Sequence, residues 1–204
     1  MNDKPKSYLF VLILGLAAGL LTVLLDFFPC KNIWTFSSFS GSLGFWAFTT
    51  SVIVYLSDKM KTAGFNTFIY LCSMSIAFYV FKGIVSYYSG YTDFVRDYTD
   101  LAVMWIIISF VCGFLGLLVW YAKKDGWFSS FIFALPISVM LTEGIELLMK
   151  QVIAKHRYLF QTIFNFVFSF ILFWCFSNKQ KKKQAIIFII PLTIVFCLAL
   201  FFIW

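Results

Sequence analysis

The residues best able to do chemistry lie between positions 142 and 157. Glu143, Glu146 and Lys150 are spaced i, i+3, i+7, which puts all three on one face of a helix. Glu146 and Lys150 form an i,i+4 pair in the favourable order. A carboxylate on an apolar helix is a candidate general base when a substrate proton comes within reach. Lys155, His156 and Arg157 follow a few residues on, and His156 is the one histidine in the chain. An imidazole titrates near neutrality, so His156 is the candidate acid or proton switch. Lys155 and Arg157 would clamp a phosphate or a lipid headgroup. A purely structural reading stands beside this one. In it the two glutamates are interfacial and the basic triplet touches headgroups.

Three further features extend the region. Gln161, Asn165 and Ser169 recur every four residues, a polar stripe on one face of a Phe-rich helix. In lipid such side chains turn inward, as glue between helices or as the wall of a solute path. Asp26 ends the first apolar run, just before Pro29. The stretch 82–100 carries Tyr87, Tyr88, Tyr91 and Tyr98 beside Asp93, Arg96, Asp97 and Asp100. Its spacing suits a short amphipathic helix lying on the membrane, an aromatic lid or a surface for a cationic group. Asp26, Lys155, Arg157, Gln161 and Asn165 are therefore the expected substrate contacts, with Glu143, Glu146 and His156 the catalytic candidates.

What elements must hold these residues? The chain has 204 residues, 62% hydrophobic and 12% charged. A soluble domain carries about a quarter charged residues, so lipid is the sink for the apolar side chains. A spanning helix needs about 20 apolar residues. Seven segments approach that length: 8–28, 34–57, 64–81, 101–121, 127–149, 158–177 and 185–204. The second is the uncertain one. Residues 34–42 are too polar to face lipid and read as a loop or a re-entrant stretch, leaving 43–56 as the firm part, so six spans are the alternative. The expected fold is an all-α transmembrane bundle of about seven helices, one domain over 1–204 with no soluble part. The first run is about 21 residues, too long for a cleaved signal peptide, and is read as a retained helix.

Charge sets the orientation. With the N-terminus inside, the cytoplasmic segments hold ten basic residues and three acids, and the opposite side holds six of each. The Lys/Arg excess marks the cytoplasmic face, so the N-terminus is expected in the cytoplasm of a cell membrane protein. The run 178–184 reads as a polybasic topology anchor. The five cysteines lie far apart, with Cys30 the one in a loop. No zinc or disulfide spacing appears, and no metal or cofactor is expected. Basic residues form no stripe suited to nucleic acid.

Gly15 and Gly19 in the first segment, Gly44, Phe45 and Trp46 in the second, Gly113 and Gly116 in the fourth, and Thr142 with Glu143 in the fifth form a set. In these positions the chain resembles a family of uncharacterised bacterial membrane proteins of about this length. The resemblance implies a multi-pass helical fold and brings no activity. The substrate-binding subunits of vitamin importers are similar in size but share no motif with it.

No HExxH, GxSxG or P-loop is present. The expectation is therefore a small transporter, or the membrane subunit of a transport or export system, rather than an enzyme. The alternatives are an intramembrane enzyme acting on a lipid-linked substrate at the outer leaflet, and a structural or immunity-type protein. The expected partners are the lipid bilayer and a homo-oligomeric or partner membrane subunit.

Overall fold

Polar punctuation between apolar runs gives seven helices: α1 (Pro5–Asp26), α2 (Leu43–Leu56), α3 (Met60–Tyr88), α4 (Asp93–Trp120), α5 (Trp127–Glu146), α6 (Leu159–Cys175) and α7 (Lys179–Ile203). The structure, a computed structural model, describes residues 5–26, 32–37, 39–88, 93–177 and 179–203, and no strand occurs among them. Asp3, Lys4, Pro29, Cys30, Lys31, Tyr91 and Asn178 lie outside the described residues, as do the side chains of Lys6, Asp93, Arg96, Asp97 and Lys179.

Among the described residues five helices are long and apolar enough to cross a membrane: Tyr8–Asp26, Met60–Tyr88, Tyr98–Lys123, Trp127–Ile153 and Gln180–Leu200. The protein is thus a multi-pass membrane protein. α2 and α6 are shorter, with 14 and 17 residues. At 1.5 Å per residue α2 is ~21 Å long, about 9 Å short of a 30 Å hydrocarbon layer.

The stretch 82–100 forms no separate short helix among its described residues. α3 runs on to Tyr88 and α4 resumes at Asp93. The apolar pattern stops at the interface, but the helical hydrogen bonds continue into it. α5 also outruns its α-helical part, passing into a π-helical turn over Leu147–Ile153.

Small residues decide which helices touch. A Cβ on Gly15 would lie 2.5 Å from the Tyr70 carbonyl oxygen, and one on Gly19 would strike the Met74 carbonyl. α1 therefore lies backbone-close on α3. On the other side of α3, a Cβ on Gly64 would sit 2.9 Å from the Gly113 carbonyl, and one on Gly116 2.7 Å from Thr67 Oγ1. Packing without bulk is how helices gain van der Waals contact in lipid. α5 meets α7 through hydroxyls: Ser138 Oγ donates to the Ile189 carbonyl at 3.3 Å, and Ser130 Oγ to Gln184 Oε1 at 2.9 Å. α2 packs on α3, α4, α5 and α6, so the shortest helix lies at the centre.

Cations gather at one end. Lys123 Nζ donates to the Ser57 and Tyr55 carbonyls at 2.8 and 3.1 Å. Lys181 Nζ donates to the Ala122 carbonyl and, at 2.7 Å, to that of Lys124. This is the face that the charge count assigns to the cytoplasm. At the other end Lys82 Nζ pairs with Asp26 Oδ2 at 2.8 Å, tying α1 to α3.

Candidate functional site

The first N–H groups of a helix have no partner within it and need one from elsewhere, above all in an apolar bundle. α2, with 14 residues, draws those partners from its own cap and from α5. Ser42 is its N-cap, with extended backbone and an Oγ that accepts from Phe45 N at 3.4 Å. The rest of the first turn is satisfied from α5, about a hundred residues away. Glu143 Oε1 accepts from Leu43 N at 3.0 Å. Glu143 Oε2 accepts from Gly44 N at 2.5 Å, Ser42 Oγ at 3.0 Å and Asn165 Nδ2 at 3.1 Å. The carboxylate thus takes four donors from two neighbouring helices. It also sits on the positive end of the α2 dipole, where an anion is stabilised.

Glu143 lies ~24 Å along α5 from Trp127, and Leu43 lies ~20 Å along α2 from Leu56. Both lengths are shorter than the ~30 Å thickness of a hydrocarbon layer.

Gly44 permits this arrangement. A Cβ there would collide with Asn165 Oδ1 and come within 2.8 Å of Glu143 Oε2. Asn165 is fully buried, and its Oδ1 has no hydrogen-bond partner. One turn earlier on α6, Gln161 is 2% exposed; its Nε2 donates to the Ser37 carbonyl at 3.0 Å, and its Oε1 has no partner. Two amide oxygens on α6 are therefore buried without a partner, where a polar atom is normally satisfied; of the two residues, Asn165 touches the carboxylate and Gln161 touches Ser37.

Aromatic rings pack at the start of α2. Residues 32–37 lie on the first turn of α6, where Leu159 N donates to the Ile33 carbonyl, and Phe39 and Ser42 are buried just before α2. The Phe39 ring packs against Phe45, Phe160 and Phe164 at 4.6, 5.3 and 5.0 Å. The seat is not sealed, because Glu143 is half-buried and Leu43 is 62% exposed. On the α3–α4 side of the same turn, a cavity of about 50 Å³ is bounded by Gly41, Trp46, Met74, Ser75 and Trp105 among others.

The other end of α2 mirrors the first. Its last carbonyls receive Lys123 Nζ, and the Ser57 carbonyl also receives Trp120 Nε1 at 3.3 Å. A carboxylate at the N-terminus and an ammonium at the C-terminus both complement the helix dipole.

The structure joins Glu143 and Asn165 of the sequence candidates, while Gln161, one turn earlier on α6, bonds to Ser37. Glu146 pairs with Lys150 at 3.3 Å in an exposed i,i+4 contact. Lys155, His156 and Arg157 are exposed. The backbone is left-handed at His156 and Tyr158, with φ of 52° and 62°, a tight turn between the π-helical segment and α6. Asp26 is engaged with Lys82. Ser169 turns inward but donates to the Phe166 carbonyl of its own helix. Ser42, Leu43 and Gly44 were not among the candidates. Their signal was an N-cap serine and a glycine opening an apolar run too short to span.

The fold and the seat define a multi-pass α-helical membrane protein with a short central helix held from within the bundle. The chain belongs to a family of unknown function, DUF6518, which matches residues 2–203. No curated protein and no solved structure matches it.

Proposed function

We propose that this protein is a small transporter of the cell membrane, and that the start of α2 with Glu143 and Asn165 is its cargo site. The observation that carries this reading is an ionisable side chain inside the helical bundle, on the N-terminus of a helix too short to span a membrane. A charge in the hydrocarbon region is costly and typically marks a solute or ion path. Carriers with interrupted helices aim half-helix N-termini at anionic groups near the midplane. The seat also has an open side at Leu43 and an aromatic cover at Phe39, the parts that alternate opening requires. His156, Lys155 and Arg157 stand apart from the carboxylate, which favours transport over proton transfer to a lipid-linked substrate. The apolar outer faces of α4 and α7, such as Phe110, Phe114, Ile190 and Ile194, suit lipid or a second copy.

Solute entry into vesicles tests this without a known cargo. Proteoliposomes are challenged with a panel of small organic acids, amines, amino acids and sugars, and swelling is followed by light scattering. At least one solute enters faster than into protein-free vesicles, and Glu143→Gln slows it at least ~10-fold, the loss of about 1.4 kcal/mol or more at the rate-limiting step. Asn165→Leu weakens entry as well. Swelling equal to that of protein-free vesicles for the whole panel, or full-rate entry in Glu143→Gln, contradicts the proposal.

A further inference from the structure

The structure assigns a lipid site to the groove between α3 and α4. It takes one anionic phospholipid of the cytoplasmic leaflet, with the phosphate on Lys61 and an acyl chain along Gly64 and Gly113. None of these residues belongs to the Glu143 seat, and the site does not depend on transport. α3 contributes Lys61, Gly64, Phe65 and Phe68 to the groove, and α4 contributes Phe110, Gly113, Phe114 and Leu117. Both sets are spaced i, i+3, i+4, i+7, so each is one face of its helix. The groove holds about 280 Å³. Its floor is backbone: a Cβ on Gly64 would sit 2.9 Å from the Gly113 carbonyl oxygen, and one on Gly113 3.2 Å from that of Gly64. Its walls include exposed rings, those of Phe65, Phe110 and Phe114. At the end away from Lys61, the Phe68 and Phe110 rings meet edge to face at 6.0 Å.

Charge and length select the occupant. In lipid no water drives apolar surfaces together, so fit and charge decide what stays. From Lys61 to Phe68 the groove runs about 11 Å, less than half of a ~30 Å hydrocarbon layer and within the reach of chains from one leaflet. Its charged end belongs to the face where the chain gathers ten basic residues and three acids, the face toward the anionic cytoplasmic leaflet. Lys61 is exposed and enters no ion pair among the described residues. An ammonium at the mouth of an apolar groove complements both parts of an anionic lipid, the phosphate at Nζ and the methylenes between the rings. A second copy of the chain fits less well. A two-fold axis along the membrane normal would hold Lys61 of each copy at one level, like charge against like.

Native mass spectrometry of the full-length chain tests the site. The protein is released from micelles that hold equal amounts of phosphatidylglycerol and phosphatidylcholine with the same acyl chains. The first lipid bound is phosphatidylglycerol by at least ~5-fold, the preference that one lysine gives toward an anionic headgroup. Lys61→Gln brings the two lipids to parity. Lys183→Gln, an exposed lysine of the same basic face but outside the groove, keeps the preference. Phe65→Ala removes a wall and lowers the fraction of protein carrying phosphatidylglycerol. An excess of inorganic phosphate leaves the lipid in place, because the groove holds the chain as well as the headgroup. Parity in the wild type overturns the assignment, as does a preference that survives Lys61→Gln. Equal losses in Lys61→Gln and Lys183→Gln identify a diffuse basic surface and overturn it too. So does an unchanged bound fraction in Phe65→Ala, or release of the lipid by phosphate. A lipid-free dimer that Phe65→Ala dissociates gives the groove to a second copy and overturns the lipid site.

Discussion

Glu143→Ala destabilises the folded protein by about 3–5 kcal/mol in mixed-micelle unfolding, the range for removing one partner of a buried charged contact. Two effects compete. Deleting a carboxylate removes the cost of holding a charge out of water. It also strands Ser42 Oγ, Leu43 N, Gly44 N and Asn165 Nδ2, and each unsatisfied buried donor costs about 1–3 kcal/mol. Leu43 is open to its surroundings and recovers part of its share, but Gly44 and Asn165 are buried. The stranded donors therefore outweigh the relieved charge. Glu146→Ala is the internal control. It lies three residues further along the same helix, in an exposed pair with Lys150, and changes stability by no more than about 0.5 kcal/mol. Equal effects of the two substitutions would mean that Glu143 is an interfacial carboxylate like its neighbour.

Gly44→Ala is the second large effect, and its sign runs against helix propensity. Alanine in place of glycine gains about 1 kcal/mol in an exposed helix interior. At position 44 the added methyl would overlap Asn165 Oδ1, lie 2.7 Å from Asn165 Cγ and approach Glu143 Oε2 to 2.8 Å. Overpacking costs about 1–3 kcal/mol, and turning Asn165 away also breaks its bond to Glu143, about 1.5 kcal/mol or more for a charged acceptor. The net expectation is a loss of about 2–3 kcal/mol after the propensity gain is set against these costs. Unfolding in mixed micelles measures it. Shortening the obstacle relieves it, so Gly44→Ala costs less in an Asn165→Ala background than alone. A stabilising Gly44→Ala would show that α2 starts on no such seat.

The sequence carried the helices more plainly than the seat. Long apolar runs have one outcome in lipid, and the stretch 43–56 already stood out as the firm part of an uncertain segment; α2 spans Leu43–Leu56. The polarity of 34–42 was legible too: Phe39 packs on Phe45 of α2, and Ser42 caps that helix. Reading helix ends from hydropathy failed at 82–100, because Tyr87, Tyr88 and the acids of α4 leave the hydrocarbon without leaving the helix. Glu143 and Asn165 were visible as polar groups at helix spacing. Their partner was not visible, because it is backbone: Leu43 N and Gly44 N carry no side-chain signature. Spacing along one helix likewise grouped Glu143 with Glu146 and Lys150. Which face of α5 meets α2 is settled only by packing, and that packing parts Glu143 from the other two.

A double-mutant cycle on Glu143→Gln and Asn165→Leu, read as unfolding free energies in mixed micelles, tests the seat most directly. Glu143 and Asn165 share a charged hydrogen bond at 3.1 Å, so the two changes couple by about 1–3 kcal/mol. Effects that add to within about 0.5 kcal/mol, as for residues far apart, would contradict the carboxylate's place at the head of α2.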